Sequence, residues 1–334
     1  MKLPFEQVER KIIIKKESET NSNYGKKPEN RTITELIDKG VICINKPQGP
    51  TSHQVADYTK KILNIKKAGH GGTLDPNVTG VLPIALNKAT RISQTLLPFG
   101  KEYICLMHVH KLIKKEEIEK IFKEFLGKIK QLPPIKSAVK RIEREREIYY
   151  IKILEIQDQD VLFKIGCQAG TYIRTICDSV GKKLNTGAHM QQLIRTKAGP
   201  FNDKEMYSLT ELQDAYTLYK EGKEKELKKI IKPIEYSVQH LPKIWVHDST
   251  VDPLCHGAGL NIPGISKFES NIKPRELVAV LTLKNELVAI GYSKLSSEFI
   301  KEKSTSVAVE ITKTFMETER YPHYTKQPPS LQPL

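Results

Sequence analysis

The pattern of apolar residues changes at Pro242, and this change limits the possible folds more than any other feature of the sequence. Before Pro242, helical and strand-like segments follow one another without the regular alternation of a doubly wound sheet. After it come short β-rich segments separated by glycine and proline turns, at residues 243–247, 276–283, 286–292 and 306–312. This second pattern is typical of a small β-barrel or sandwich. The sequence therefore predicts an α+β part followed by a small β part.

Positive charge is concentrated in the first 240 residues. The whole chain carries a formal net charge of +15, of which residues 241–334 contribute only +1. Such a basic protein favours a polyanionic partner, and nucleic acid is the first candidate. The segment KSAVKRIERER (136–146) is dense in arginine, which forms bidentate contacts with phosphate. We interpret it, with Lys140 and Arg141, as an RNA-contacting loop; a solvated charged face is the alternative.

The cysteines and the apolar runs indicate the cellular compartment. The five cysteines are scattered and form no C-x-x-C pair, which argues against a disulfide framework or a zinc knuckle. No apolar run approaches the ~18 residues that a membrane-spanning helix needs. The first residues also lack the basic and then apolar order of a signal peptide. These features predict a cytoplasmic protein with reduced thiols.

Apolar spacing and capping motifs locate the elements of the first part. Strands are predicted at residues 41–45, 81–86, 101–110, 147–156 and 161–168. Helices are predicted after Thr32, after Ser52, over 114–128, over 173–184 and after Ser208. Ser52 is expected to cap a helix whose inward-facing residues are Val55, Tyr58, Ile62 and Leu63.

The glycine-rich segment AGHGGTLDPNVTG (68–80) carries the most specific chemical signal. Its glycines permit backbone conformations that are closed to other residues and allow another molecule to approach closely. Asp75 precedes Pro76, which disfavours the α region for Asp75. The segment predicts a carboxylate on a tight, open loop; the alternative is an Asx turn in which Asp75 only caps local amides. Since no G-x-x-x-x-G-K-[ST] motif is present, nucleotide hydrolysis has no support.

Several motifs in a fixed order resemble the TruB-type pseudouridine synthases. They are INKPQGPTSHQV (44–55), KAGHGGTLDPNVTGVLPIAL (67–86), KEY (101–103), GTYIRT (170–175) and HMQQLIRTKAGPF (189–201). PPIKSAVKR (133–141) and GAHM (187–190) resemble the dyskerin-like branch, the catalytic subunit of box H/ACA guide ribonucleoproteins. Residues 245–265 resemble the start of a PUA domain, a small RNA-binding barrel. Because the long lysine-rich tails of eukaryotic relatives are missing, the archaeal type is expected.

The resemblance implies a domain order and a sheet type. We expect an N-terminal arm (1–32) and a catalytic domain (33–240) whose mixed, mainly antiparallel sheet is flanked by helices. A PUA domain (241–316) and a disordered tail (317–334) are expected to follow.

The resemblance also assigns roles to three residues. Asp75 matches the single catalytic aspartate of the family, and Arg174 matches the arginine that pairs with it. An ordinary surface pair between Arg174 and Asp178, spaced i,i+4, is the alternative. Tyr103 matches the tyrosine that stacks on a flipped target uracil; a tyrosine packed in the core is the alternative.

Supporting roles follow from the same motifs. His70 is expected to contact RNA, with a purely structural histidine as the alternative. Lys46, with Pro47, is expected to support the active-site loop, and Leu193 to pack beneath the pocket. The resemblance implies no cofactor, because the uracil base itself carries the electrons. His108 and His110 share one face of a strand without a third ligand nearby in sequence, so no metal site is predicted.

Together these features predict an RNA pseudouridine synthase that converts uridine to pseudouridine. The substrates implied are the T-loop uridine of tRNA, rRNA uridines selected by an H/ACA guide RNA, or both. The partners implied are that guide RNA and the small subunits of the particle. The alternatives are a non-catalytic RNA-binding scaffold of the particle and a stand-alone tRNA enzyme of the bacterial type.

Overall fold

The computed structural model describes residues 1–133 and 140–322. Its α-helices are α1 Ile33–Lys39, α2 Ser52–Ile62, α3 Ser93–Leu96, α4 Lys115–Lys123, α5 Ile173–Lys183, α6 Leu209–Lys220, α7 Lys225–Ile230, α8 Asp248–Cys255 and α9 Ser297–Glu302. Its strands are β1 Ile12–Ile14, β2 Gly40–Lys46, β3 Ala68–His70, β4 Thr79–Leu86, β5 Lys101–Val109, β6 Gly127–Gln131, β7 Arg144–Gln157, β8 Asp160–Cys167, β9 Ala188–Ala198, β10 Phe201–Asn202, β11 Lys232–Pro233, β12 Lys243–Val246, β13 Leu260–Asn261, β14 Ile265–Glu269, β15 Leu277–Thr282, β16 Leu287–Ser293 and β17 Val307–Thr314.

The described residues form two compact units. The first comprises Met1–Val8 and Ile33–Ser237, and the second comprises Glu9–Thr32 and the chain from Val238 onward. The domain boundaries drawn from the sequence stay predictions. Residues 323–334 of the predicted tail lie outside the described residues.

A ten-stranded sheet organises the first unit. Its order is β11-β2-β4-β9-β5-β8-β7-β6, while β10 pairs with β9 and β3 pairs with β4. Within the described residues, β4 and β9 are parallel and the other pairs of this sheet are antiparallel. The prediction of an α+β fold with a mixed, mainly antiparallel sheet is therefore confirmed.

Helices cover this sheet with the apolar stripes that the sequence shows. Helix α5 buries Ile173, Ile176, Cys177 and Val180, as its helical spacing predicts. They join a core in which Phe163 of β8 is fully buried, with its ring centroid 4.9 Å from that of Phe122. A second apolar cluster contains residues of β2, β4 and helices α1, α2, α6 and α7. The capping box predicted at Ser208 is confirmed at the start of α6.

The start of α2 differs from the prediction. The capping residue is Thr51, whose hydroxyl accepts a hydrogen bond from the Gln54 amide, while the Gln54 side chain accepts one from the Thr51 amide. Ser52 is instead buried and exchanges two hydrogen bonds with the Leu74 backbone, at 2.8 and 3.1 Å. Tyr58 is 40% exposed, so its predicted inward orientation is wrong.

The helix predicted over residues 114–128 is too long. Helix α4 ends at Lys123, and Gly127 begins strand β6 with a φ of +81°, a conformation that favours glycine. Ile129, which continues the helical spacing in sequence, therefore lies on a strand. Leu126 lies in the connection and is 46% exposed.

The second unit contains a seven-stranded sheet around its own core. The order is β1-β14-β12-β15-β16-β17-β13, with β12 and β15 parallel. The four β-rich segments predicted after Pro242 correspond to β12, β15, β16 and β17, and a β-rich second part is thereby confirmed. Strand β1, from the predicted N-terminal arm, pairs with β14. Among the described residues, no helix has the length and apolarity to cross a membrane.

Candidate active site

Asp75 lies on the loop of residues 71–78 between β3 and β4, here called the Asp75 loop. The Val78 amide donates to the Asp75 carbonyl at 3.0 Å, and Gly72 has a φ of +139°, where other residues are strained. The side chain of Asp75 is 50% exposed. A carboxylate at this position is accessible to a ligand that approaches the loop.

Arg174 forms an ion pair with Asp75. The distance from Arg174 Nη2 to Asp75 Oδ2 is 2.7 Å, and Arg174 belongs to the first turn of α5. The residue that precedes this helix is fixed by Gln131, which exchanges hydrogen bonds with the Tyr172 backbone. Asp178, the alternative partner, pairs with Lys182 at 2.7 Å. Arg174 is thus directed at the Asp75 loop.

Lys46 is fully buried at the end of β2 and holds the Asp75 loop. Its ammonium donates to the carbonyls of Pro47, Pro76 and Val78, at 2.9, 3.0 and 2.9 Å. Burial lowers the pKa of Lys46, and the charge of Asp75 partly offsets this effect. Lys46 therefore joins the two residues that flank Asn77 to the end of strand β2.

Tyr103 lies on β5 and belongs to the core cluster beside the loop. It is 9% exposed and shares this cluster with Leu74, Val78 and Ile173. Burial raises the pKa of Tyr103 to about 12. The packing matches the core alternative considered for this residue, and stacking on a base stays a prediction.

Leu193 and His70 lie on strands close to the same loop. Leu193 is buried on β9, opposite Cys105 of β5, in the cluster that also contains Tyr103. His70 ends β3, and its ring meets that of His53 edge-on at 5.3 Å. Burial, followed by the charge of His53, lowers the pKa of His70, which favours the neutral ring. Contact of His70 with RNA stays a prediction.

The two basic residues of the predicted RNA-contacting segment are exposed. Lys140 and Arg141 precede strand β7, and residues 136–139 of the same segment lie outside the described residues. The contacts described for Asp75 do not include Lys140 or Arg141. Their role stays a prediction.

Sequence reasoning missed Arg195 on β9. It is 1% exposed, and its guanidinium donates to the carbonyls of Val81, Gly72 and Thr73, at 2.7, 3.1 and 3.4 Å. The same group lies beside the Tyr103 side chain. The signal was its position in the motif HMQQLIRTKAGPF, where a long cation follows the apolar Leu193-Ile194 pair.

Sequence reasoning also missed Lys101 at the start of β5. Its buried ammonium donates to the carbonyls of Leu96, Leu97 and Phe99. Burial, and then the charge of Arg195, lower the pKa of Lys101 to about 7. A cation inside a strand pattern was the available signal.

A third histidine joins His108 and His110, although none is near in sequence. His189 of β9 lies with its Nδ1 2.9 Å from His110 Nε2, and His108 Nδ1 lies 2.7 Å from Asp160 Oδ1. Even so, within residues 1–133 and 140–322 no group of three or more side chains is arranged to hold a metal ion.

Several family profiles match successive parts of this chain. They are the DKCLD (NUC011) domain at residues 2–56, the N-terminal domain of TruB family pseudouridylate synthases at 60–113 and 108–173, the C-terminal domain of tRNA pseudouridylate synthase B at 174–239, and the PUA domain at 242–315.

Similar proteins are found among archaea. The probable tRNA pseudouridine synthase B of Methanopyrus kandleri is 50% identical over 322 residues, which are 96% of this chain and 95% of that protein. That of Pyrococcus furiosus is 50% identical over 318 residues, or 94% of each.

Solved structures agree in fold over nearly the whole chain. A crystal structure of a Cbf5–Nop10–Gar1 complex contains a chain with a TM-score of 0.92 and 50% identity, covering 96% of this chain and 98% of that one. An H/ACA ribonucleoprotein bound to a substrate RNA that contains 2′-deoxyuridine has a chain with a TM-score of 0.90 and 47% identity, covering 96% and 99%.

Proposed function

This chain belongs to the TruB family of pseudouridine synthases and is itself a pseudouridine synthase, and from this premise we propose that Asp75 is its catalytic residue. The observation that carries the proposal is the 2.7 Å ion pair between Asp75 and Arg174, formed at an exposed loop. An ion pair at this position fixes a negatively charged oxygen where a nucleotide reaches it. A scaffold that only binds RNA has no need of this arrangement.

The reaction breaks the bond between the sugar C1′ and the base N1 and then joins C1′ to C5 of the same base. The proton on C5 leaves and N1 gains one, so the product is an isomer of uridine and no electrons are exchanged with a cofactor. The protein supplies position and charge. Asp75 presents its carboxylate to the nucleotide, Arg174 orients that carboxylate, and Tyr103 stacks on the flipped base.

The substrates are proposed from the relatives and from charge. The curated archaeal relatives are named for tRNA, and the solved relatives come from complexes with Nop10, Gar1, H/ACA RNA and substrate RNA. We therefore propose that this enzyme modifies uridines in rRNA selected by a guide RNA, together with small H/ACA subunits, and the T-loop uridine of tRNA. The excess positive charge of the chain favours both polyanions.

A cytoplasmic location is part of the proposal. Four of the five cysteines, Cys43, Cys105, Cys167 and Cys177, are buried thiols outside any disulfide, which fits a reducing compartment.

Reconstitution with labelled RNA tests the proposal. The target RNA and the tRNA carry tritium at C5 of uridine, so each turnover releases tritium into water. The full chain is assayed with a matched guide, with a mismatched guide, and with or without homologues of the small subunits named in the solved complexes.

We expect tritium release from the target only with the matched guide, faster with the small subunits, and release from tRNA at its T-loop uridine. RNA binding without release under every condition would contradict the proposal and favour the scaffold. Release from tRNA alone, with no affinity for the guide, would favour a stand-alone tRNA enzyme.

A further inference from the structure

Three buried cations lie around the Asp75 loop. Lys46, Lys101 and Arg195 are each at most 5% exposed, and each donates hydrogen bonds to three backbone carbonyls. In the described part of the chain none of them has a carboxylate within ion-pair distance. Burying a charge without a partner is costly, so an arrangement of this kind needs a compensating function.

Arg195 differs from the two lysines because its guanidinium contacts both the start of the loop and strand β4, which follows the loop. It bonds Gly72 and Thr73 before Asp75, and Val81 after it. The planar fork of arginine suits several acceptors in fixed directions, whereas an ammonium group acts as a point charge. The same guanidinium lies beside the Tyr103 side chain.

The backbone around Arg195 fixes the side chain where this contact is possible. Strands β4 and β9 run parallel there, with Gly80 opposite Arg195. A Cβ atom on Gly80 would lie 2.3 Å from the Arg195 carbonyl oxygen, so only glycine allows this approach. Gly72 also lies beside the group: a Cβ atom there would be in ordinary van der Waals contact, 3.7 Å from Arg195 Nη1 and 3.8 Å from Lys101 Cε.

We infer that Arg195 is a positioning residue of the pseudouridine synthase reaction. It holds the start of the Asp75 loop and the strand that follows the loop in one arrangement, beside the Tyr103 side chain. The inference rests on the proposed role of Asp75 and extends it, because Arg195 acts through Asp75 and Tyr103 without touching the RNA.

Two substitutions separate the effect of the planar guanidinium of Arg195 from the effect of its positive charge. Arg195→Met removes both, while Arg195→Lys keeps a positive charge that cannot reach Val81 and Gly72 together. Lys197→Met is the matched control: it lies two residues away on β9, is partly buried, and pairs with Glu6 at 2.8 Å.

Single-turnover tritium release, RNA affinity and thermal unfolding are measured on the full chain with its guide. We expect Arg195→Met to slow turnover about a hundredfold or more, since a misplacement of about 1 Å has an effect of that size. We expect Arg195→Lys to recover about a tenth of the wild-type rate. The Kd for substrate RNA should stay within about threefold of wild type, as expected for a residue that acts on the chemical step.

Amide exchange of the Asp75 loop supplies a second readout. Exchange at residues 72–78 should rise in both Arg195 variants and stay unchanged in Lys197→Met. Should Arg195→Met fail to fold, Arg195→Lys decides alone: slower turnover at an unchanged melting temperature supports the inference.

Wild-type turnover in folded Arg195 variants would overturn the inference and leave the role of Asp75 intact. A rate that falls only in proportion to lost RNA affinity would overturn it as well. An active Asp75→Asn variant in the same assay would instead overturn the proposed function, and this inference with it.

Discussion

Replacing Arg174 by methionine tests whether its ion pair with Asp75 serves catalysis or the stability of the fold. The variant Arg174→Met keeps the length and the apolar stem of the side chain and removes the guanidinium that lies 2.7 Å from Asp75. The two side chains are 40% and 50% exposed, so water screens their attraction strongly. Pairs of this kind contribute about 0–1 kcal/mol to folding.

The expected effect on stability is therefore small and the expected effect on turnover is large. The free energy of unfolding should fall by less than about 1 kcal/mol. The rate of tritium release should fall about 10²–10³-fold, the range found when one preorganised group beside a reacting centre is removed, or about 2.7–4 kcal/mol. Arg174→Lys should recover little of this rate, because a single ammonium does not reproduce the planar group.

Helix α5 provides its own control. Lys182 pairs with Asp178 on the same helix at the same distance of 2.7 Å, and both side chains are more than half exposed. Lys182→Met should match Arg174→Met in denaturant unfolding and match wild type in single-turnover release. Equal rates for the two variants would refute the reasoning, as would a loss of several kcal/mol of stability in Arg174→Met without a change in rate.

Three further predictions concern stability. The pKa of Lys101 is lowered to about 7 from 10.5, so between these two pH values the unfolded chain binds more protons than the folded chain. The free energy of unfolding should therefore rise with pH across this range, by up to about 1.4 kcal/mol per pH unit. Unfolding at several pH values should show a flatter slope in Lys101→Met, and parallel slopes would contradict the assignment. Phe163→Ala removes a fully buried ring that packs against the tilted ring of Phe122 and should cost about 3–5 kcal/mol, so a loss under 1 kcal/mol in urea unfolding would contradict this prediction. Ser208→Ala removes the capping hydroxyl that accepts from the Glu211 amide and should cost about 1 kcal/mol, whereas a thermal melt identical to wild type would show that the cap contributes nothing.

Local signals in the sequence predicted much of the fold. The apolar stripe of α5 and the capping box at Ser208 each depend on residues a few positions apart, and both are present. Prediction was less accurate where two neighbouring hydroxyls can both cap a helix. Thr51 caps α2, whereas Ser52 forms hydrogen bonds with the Leu74 backbone. The sequence spacing alone does not separate these two hydroxyls.

The site required information that no local pattern contains. Asp75 and Arg174 are brought together by a loop and a helix that are about a hundred residues apart, and only the family motifs indicated that they meet. Strand β9 was not predicted because polar residues fill much of it, yet it occupies a central position in the sheet. Arg195 and His189 were missed with it, since their contacts depend on pairing with β4 and β5.

The carboxylate of Asp75 is the centre of this account, and one substitution tests it directly. Asp75→Asn keeps the size of the side chain and removes its charge, while Asp178→Asn makes the same change at an exposed carboxylate on α5. Single-turnover tritium release and RNA affinity are measured for both variants beside wild type. We predict that Asp75→Asn binds RNA and releases no tritium, and that Asp178→Asn releases it at the wild-type rate. Release by Asp75→Asn at a rate comparable to wild type would contradict the account.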